Sequence, residues 1–370
     1  MTRPDRFGGA RRIVVKIGSA VLREGSAFDR VTFASLARDL AVLRRLGVEV
    51  VVVCSGAVAL GMTQLGLTAR PERIEQLQAT AAVGQGQLMR LWSDELSHYD
   101  LRAGQVLLTH DDLRNRKRFL AARHTLRALI ELGAVPVINE NDTVAIDEIK
   151  LGDNDLLSSQ IVSLVEASML IILSDVAGYF DGDPKEPGAQ IVPWVPRIDA
   201  GVLDRAGGSG SGLGSGGMRT KIAAVRQVNH LGVPGVIAQG KTPGVLQRLH
   251  AGEALGTWFA AESATVRSRK HWIAYAGRLA GTLHVDPGAA QALRTGRGSL
   301  LPIGVTAIEG DFEVGDPVRV IDAEGIEFAR GLVGHDAATV RRVMGRRSEG
   351  LDLVSPEIVH RDDLVVLPQG

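Results

Sequence analysis

Residues 48–61 read VEVVVVCSGAVALG. Apart from Glu49, the run up to Cys54 is apolar and mostly β-branched, with no alternation of polar positions. A strand covered on both faces reads this way, and such strands build parallel sheets with helices on either side. Ser55-Gly56-Ala57 ends the run, and a helical pattern begins at once. Gly56 lets a ligand approach the backbone, and amides at a helix start favour a carboxylate or phosphate. Ser55 as a plain N-cap is the competing reading of this stretch. It is not a nucleophile elbow, because Val53 stands where that turn needs glycine.

The same grammar extends in both directions. Strands are predicted at 12–17, 48–54, 104–109, 134–138, 169–174 and 233–238, with helices at 30–46, 72–96, 117–132, 155–166 and 217–231 between them. Asp29 and Asp153 stand where the first and fourth of these helices need N-caps. This alternation predicts an α/β domain over 1–260, a layered, open and mainly parallel sheet flanked by helices. From Gly277 the texture changes to short β-like runs between turn signals. A linker is therefore expected at 261–276, a small β-rich domain at 277–355, and a tail at 356–370 that packs somewhere.

The chain has 370 residues, with 42 Lys+Arg balanced by 42 Asp+Glu, so no global charge points to nucleic acid or an anionic membrane. Cys54 is the only cysteine, which excludes an intrachain disulfide and fits a reducing cytoplasm. The N-terminal stretch lacks an apolar core, so no signal peptide is expected, and no apolar run has the length of a membrane span. A cytoplasmic protein is expected.

Residues 235–242, GVIAQGKT, match a phosphate-binding loop formally. The positions between the glycines are apolar, and Pro243-Gly244 follow where a helix should already run, so this segment reads as a buried strand and a turn.

Four other loops follow predicted strands, where ligands of open α/β sheets collect. In VVKIGSA (14–20), Lys16 lies within an apolar strand, costly to bury without an anion. It is either an edge lysine reaching solvent or a contact to a transferred phosphoryl group, with Gly18 and Ser19 offering amides. The second loop is Ser55-Gly56. The third, VINENDTVAIDEIKLGDND (137–155), crowds Asn139, Glu140, Asn141 and Asp142 at one end and Asp153, Asn154 and Asp155 at the other. Amides and carboxylates together suit an amino acid, whose ammonium needs acceptors and whose carboxylates need donors. The fourth follows LIILSDVAGYFDGDP (170–184) with SGSGLGSGGMRTK (209–221). By composition the latter is a flexible linker. Lys221 in the first turn of the next helix opposes the helix dipole, which is explained if an anion sits there.

Together VVKIGSA, SGAVALG, PVINENDTVA, EIKLGDND, LSDVAGYFDGDP and GLGSGGMRTK resemble the amino acid kinase family, in its glutamate-phosphorylating branch, over about 11–260. The segment at about 277–353 resembles the PUA domain. The resemblance implies ATP-dependent phosphorylation of the side-chain carboxylate of L-glutamate, the first step of proline biosynthesis, with Mg²⁺ bound mainly through ATP. It implies that Lys16 and Lys221 approach the phosphates and that Asp155 organises them. Ser55, Gly56, Asp142 and Asn154 would contact glutamate. Ser174, Asp175, Ser215, Gly216, Gly217, Met218, Arg219, Thr220 and Lys221 would hold the nucleotide. It further implies a homo-oligomer, proline as feedback inhibitor and a glutamyl-phosphate reductase as partner. The proline site is expected in the loop after Leu60, with Gly61, Gly66, Gly84 and Gln85-Gly86. Two alternatives stay open: a same-fold kinase for another carboxylate such as N-acetylglutamate, and RNA binding through the PUA-like domain. Against the second, residues 271–370 hold ten Arg and no Lys beside fourteen acidic residues, the wrong sign for a phosphate-tracking surface.

Overall fold

The computed structural model describes residues 7, 9–24, 27–145, 154–184, 186–206, 217–261, 279–295, 298–347, 353 and 355–367. The chain divides into two compact units, 1–265 and 266–370.

The first unit is built on strands β1 (Arg12–Ile17), β4 (Glu49–Cys54), β5 (Ala103–Leu108), β6 (Val135–Glu140), β7 (Met169–Ser174), β8 (Trp194–Val195), β9 (Gly235–Gln239) and β10 (Thr257–Phe259). The short arms β2 (Arg23–Glu24) and β3 (Ala27–Phe28) form a separate hairpin. The eight-stranded sheet runs β5-β6-β4-β1-β7-β9-β10-β8, parallel except where β10 meets β9. The valine-rich run of β4 is buried from Val50 to Cys54, and β6 and β7 are buried throughout. That is why they carry no polar alternation.

Helices α1 (Arg30–Arg45), α2 (Ala57–Gln64), α3 (Ile74–Ser97), α4 (His110–Arg114), α5 (Arg116–Glu131), α6 (Asn154–Leu164), α7 (Ala200–Arg205), α8 (Met218–Asn229) and α9 (Val245–His250) connect these strands. Asp29 caps α1 as predicted, accepting from Thr32 N at 3.0 Å and Thr32 Oγ1 at 2.6 Å. Asp153 lies outside the described residues. The predicted strands and helices recur with ends displaced by a residue or two; α4, α7, α9, β8 and β10 were not anticipated, being too short to develop a period.

The 235–242 segment is strand β9 and a turn, with Gly240 N donating to Ser174 O at 2.8 Å, so the phosphate-loop match is a coincidence of composition. The supposed loop after Leu60 is largely helix: Gly61 lies in α2, and Gly84, Gln85 and Gly86 lie in α3. These helices cross backbone to backbone. A Cβ at Gly84 would stand 1.9 Å from Ala57 O, and one at Gly61 would stand 1.8 Å from Thr80 O.

The second unit is a five-stranded sheet of β11 (Gly281–Val285), β12 (Val305–Gly310), β13 (Pro317–Ile321), β14 (Glu327–Leu332) and β15 (Leu364–Val366), in the order β12-β11-β13-β14-β15. Leu283, Phe312, Val320 and Phe328 fill its core. The segment expected as a tail contributes β15, which pairs with β14, and the buried Ile358 and Val359. Its apolar pairs belong to this unit's core. Among the described residues no helix is long and apolar enough to cross a membrane.

Candidate active site

Chain order and sheet order part company at β1. From it the chain fills one side with β4, β6 and β5, then crosses to β7 and β9 on the other. The crevice beyond the strand ends at such a reversal is open to a ligand. Among the described residues, Ser55, Asn139 and Ser174 from the loops singled out in the sequence lie at or just past the ends of β4, β6 and β7.

Lys16 is paired in register with Val53 of β4 and Ile172 of β7, so it stands in the middle of the sheet and is 6% exposed. The edge-lysine reading is excluded. Its ammonium lies 2.5 Å from Asp155 Oδ1. Asp155, in the first turn of α6 where the helix dipole favours an anion, is 1% exposed. Its other oxygen accepts from Thr220 Oγ1 at 2.8 Å and faces Lys221 Nζ at 3.5 Å. Burial alone would raise the Asp155 carboxyl, but the charges of Lys16 and Lys221 outweigh it and hold the group below its ordinary value. Burial pushes the Lys221 ammonium down, against the pull of Asp155. Two ammonium groups thus share one buried carboxylate, a trio with an excess of positive charge that an incoming anion would neutralise.

The amides near Lys16 differ from expectation. Gly18 N donates to Leu173 O at 3.1 Å, and Ser55 N donates to Ile17 O at 3.2 Å, so both serve the sheet. Ser55 is no N-cap: α2 is capped by Gly56, whose φ of 125° explains the glycine. The Ser55 hydroxyl instead accepts from Asn154 Nδ2 at 2.8 Å.

Asn154 Nδ2 also reaches Cys54 O at 3.0 Å and Asn139 Oδ1 at 2.8 Å. Asn139 passes the chain on, its Nδ2 donating to Gln85 Oε1 at 2.8 Å. With Nδ2 so engaged, Asn154 Oδ1 is buried and has no hydrogen-bond partner among the described residues, which marks it as an acceptor suited to a ligand. Asp142, half-buried on the turn after β6, is pushed up to about 6 by burial, with Arg70 opposing. Among the described residues no hydrogen bond or ion pair joins it to the Asn154 network. Asn139 was read from sequence only within the polar cluster after its strand, and Gln85 only within the expected proline site; neither was assigned a contact to glutamate. Asn139 carried a signal, a polar side chain closing an apolar strand. Gln85 carried none.

On the opposite side of the crevice, Ser174 closes β7 and is 2% exposed, its hydroxyl donating to Asp175 Oδ1 at 3.0 Å. Asp175 is exposed, yet its charge reaches Lys221. Gly217 starts α8 without a side-chain cap, leaving the first turn at Met218, Arg219 and Thr220 with its amides open to an anion. Ser215 and Gly216, with the rest of 207–216, lie outside the described residues. Among the described residues no group of three or more His, Cys, Asp or Glu side chains is arranged to hold a metal ion.

Residues 11–239 match the amino acid kinase family and residues 281–352 match the PUA domain. The chain is 47% identical to a glutamate 5-kinase of Stutzerimonas stutzeri over 98% of this chain and 100% of that protein. A glutamate 5-kinase of Syntrophotalea carbinolica is 46% identical, with 98% and 99% covered. Among solved structures, a UMP kinase from Bacillus anthracis aligns at 15% identity and a TM-score of 0.46, over 69% of this chain and 97% of that one.

Proposed function

Since the chain belongs to the amino acid kinase family, we propose that it is an ATP-dependent kinase that phosphorylates the side-chain carboxylate of L-glutamate. The product is L-glutamyl 5-phosphate, and the reaction is the first step of proline biosynthesis. The observation that carries this reading is the buried Lys16–Asp155–Lys221 trio beside the orphaned acceptor of Asn154.

An ionised carboxylate is already a nucleophile, so the reaction needs no general base. One oxygen of the glutamate side chain forms a bond to the γ-phosphorus of ATP as the bond to the β-bridging oxygen breaks, and ADP leaves with the electron pair. The obstacle is repulsion between two anions brought into line. Lys16 and Lys221 offset it with positive charge held in a site of low dielectric, where such charge is worth far more than in water. Asp155 keeps both ammonium groups charged and aimed before substrate arrives. Mg²⁺, bound through ATP oxygens, would add charge neutralisation on the leaving diphosphate. Ser174, Asp175 and the start of α8 from Gly217 to Lys221 form the nucleotide side, with Ser215 and Gly216 assigned to it from sequence. Ser55, Gly56, Asp142 and Asn154 form the glutamate side.

The same residues favour a free amino group on the acceptor. Asn154 Oδ1 and the Asp142 carboxylate are acceptors, suited to an ammonium; N-acetylglutamate would lose that charge. A homo-oligomer, feedback inhibition by proline, a glutamyl-phosphate reductase as partner and a cytoplasmic setting all accord with this activity. Nucleic acid has no part in it.

Trapping the acyl phosphate with hydroxylamine tests the proposal. Hydroxamate is expected with ATP, Mg²⁺ and glutamate, and far less with N-acetylglutamate. Equal rates on the two acceptors, or none on glutamate, would overturn it.

A further inference from the structure

Among the described residues, the buried side-chain amide nitrogen of Gln85 is a polar group that the mechanism leaves unused. Gln85 projects from α3 next to Gly84, where that helix presses directly on the backbone of α2. Its Oε1 accepts from Asn139 Nδ2 at 2.8 Å, which fixes the amide's orientation, because the reverse would set two NH₂ groups against each other. Its Nε2 is consequently fixed as well, and it is buried with no hydrogen-bond partner among the described residues. A buried amide donor without an acceptor is costly.

Asn154 Oδ1 is in the same condition with the opposite polarity. The two orphans are joined through Asn139, whose Oδ1 accepts from Asn154 Nδ2 at 2.8 Å. One network therefore ends in an unpaired acceptor at Asn154 and an unpaired donor at Gln85. An α-amino acid carries the complement on one carbon atom, an ammonium that donates and a carboxylate that accepts. The reacting carboxylate has to meet the lysines, and Asp155, which holds them, follows Asn154 in the chain. Gln85 stands two hydrogen bonds further away, at the non-reacting end.

We infer that Gln85 is a recognition residue of the acceptor pocket, its Nε2 donating to the α-carboxylate of the amino-acid substrate. This rests on the amino-acid acceptor proposed above. A second support is the way α3 is tied to the pocket: Gln78 Nε2, two turns earlier, donates to Ala145 O at 3.0 Å, and Leu77 packs with Ala145 and Val58. The same helix thus holds the turn that carries Asp142 and delivers Gln85.

The test compares Gln85→Glu and Gln85→Met with the wild type, on glutamate and on 4-aminobutanoate, which lacks the α-carboxylate. Q85E retains an acceptor for Asn139 but turns the donor into an oxygen that repels a carboxylate; Q85M removes both functions. The KM for glutamate is expected to rise on the order of tenfold in Q85M and on the order of a hundredfold in Q85E. kcat should stay within about threefold, the pattern of lost ground-state binding. With 4-aminobutanoate the three proteins should have the same KM. If Q85M is impaired and Q85E resembles the wild type, Gln85 only orients Asn139 and the inference fails. Unchanged KM in both variants also overturns it. Q85E decides the matter alone should Q85M not fold, because it keeps the Asn139 bond. A wild type inactive on glutamate would refute the proposed function, a result separate from any ordering of the variants.

Discussion

Replacing Lys16 with methionine separates electrostatic catalysis from structural ion pairing. The substitution keeps most of the volume and removes the charge. At an effective dielectric of 20, the 2.5 Å contact between Lys16 and Asp155 is a gross attraction of about 6–7 kcal/mol, and the 3.5 Å contact to Lys221 about 4–5 kcal/mol. Without Lys16, Asp155 still keeps Lys221 and the Thr220 hydroxyl. The stability loss should therefore stay below the ~3–5 kcal/mol typical of an orphaned buried charge. Asp155→Asn, by contrast, removes the carboxylate that two buried ammonium groups share, with the charge of Asp175 still acting on Lys221, and should cost more than K16M, approaching that penalty. Catalysis should follow a different order: K16M should lose about 10²–10³ in kcat, equivalent to ~2.7–4 kcal/mol of transition-state stabilisation. Hydroxamate formation at saturating glutamate and ATP measures the rate. Urea unfolding followed by tryptophan fluorescence measures stability, with Trp92, Trp194 and Trp258 reporting on the first unit. Wild-type turnover by K16M, or destabilisation of K16M equal to that of D155N, would refute the reasoning.

Three further outcomes are expected. Asp142 titrates at about 6 because burial disfavours its charge. The kcat/KM for glutamate should fall as pH drops through that value and the carboxylate stops attracting an ammonium; D142N should lose this break. Since folding favours the protonated form, this group adds stability as pH falls from about 6 towards 3.8, and D142N should be no less stable than wild type at pH 8. Gly84→Ala would drive a methyl group into Ala57 O and Gly61 N, so the urea midpoint should reveal a loss of about 3 kcal/mol or more. Buried Asp39 on α1 accepts from Leu246 N at 2.9 Å and Gln247 Nε2 at 2.7 Å. Asp39→Ala should cost ~1–3 kcal/mol by orphaning these donors at the start of α9, with kcat unchanged in the folded enzyme.

The sheet was legible because β4, β6 and β7 are buried on both faces and carry unbroken apolar runs, which single-sequence patterning detects well. β8 and β10, with two and three residues, are too short to announce themselves. Lys16 was conspicuous as a charge inside an apolar strand, but whether that strand lay at an edge depends on the crossover from β6 to β7, which no local pattern encodes. Asp155 read as an acid at a helix start; its contact with both lysines requires β1, α6 and α8 to converge. Gln85 was read only as part of an expected proline-binding loop; its tie to Asn139 was illegible, because it sits mid-helix and that partner is 54 positions away. The closing segment of the second unit read as a tail because only three of its residues form β15.

Lys16 belongs to a strand clasped by neighbours on both sides. Its main chain is anchored, and only the hydrocarbon stem can swing. Whatever travel the phosphoryl group needs to meet its acceptor must come from the nucleotide and the segments that carry it, while this ammonium stays behind as a fixed landmark.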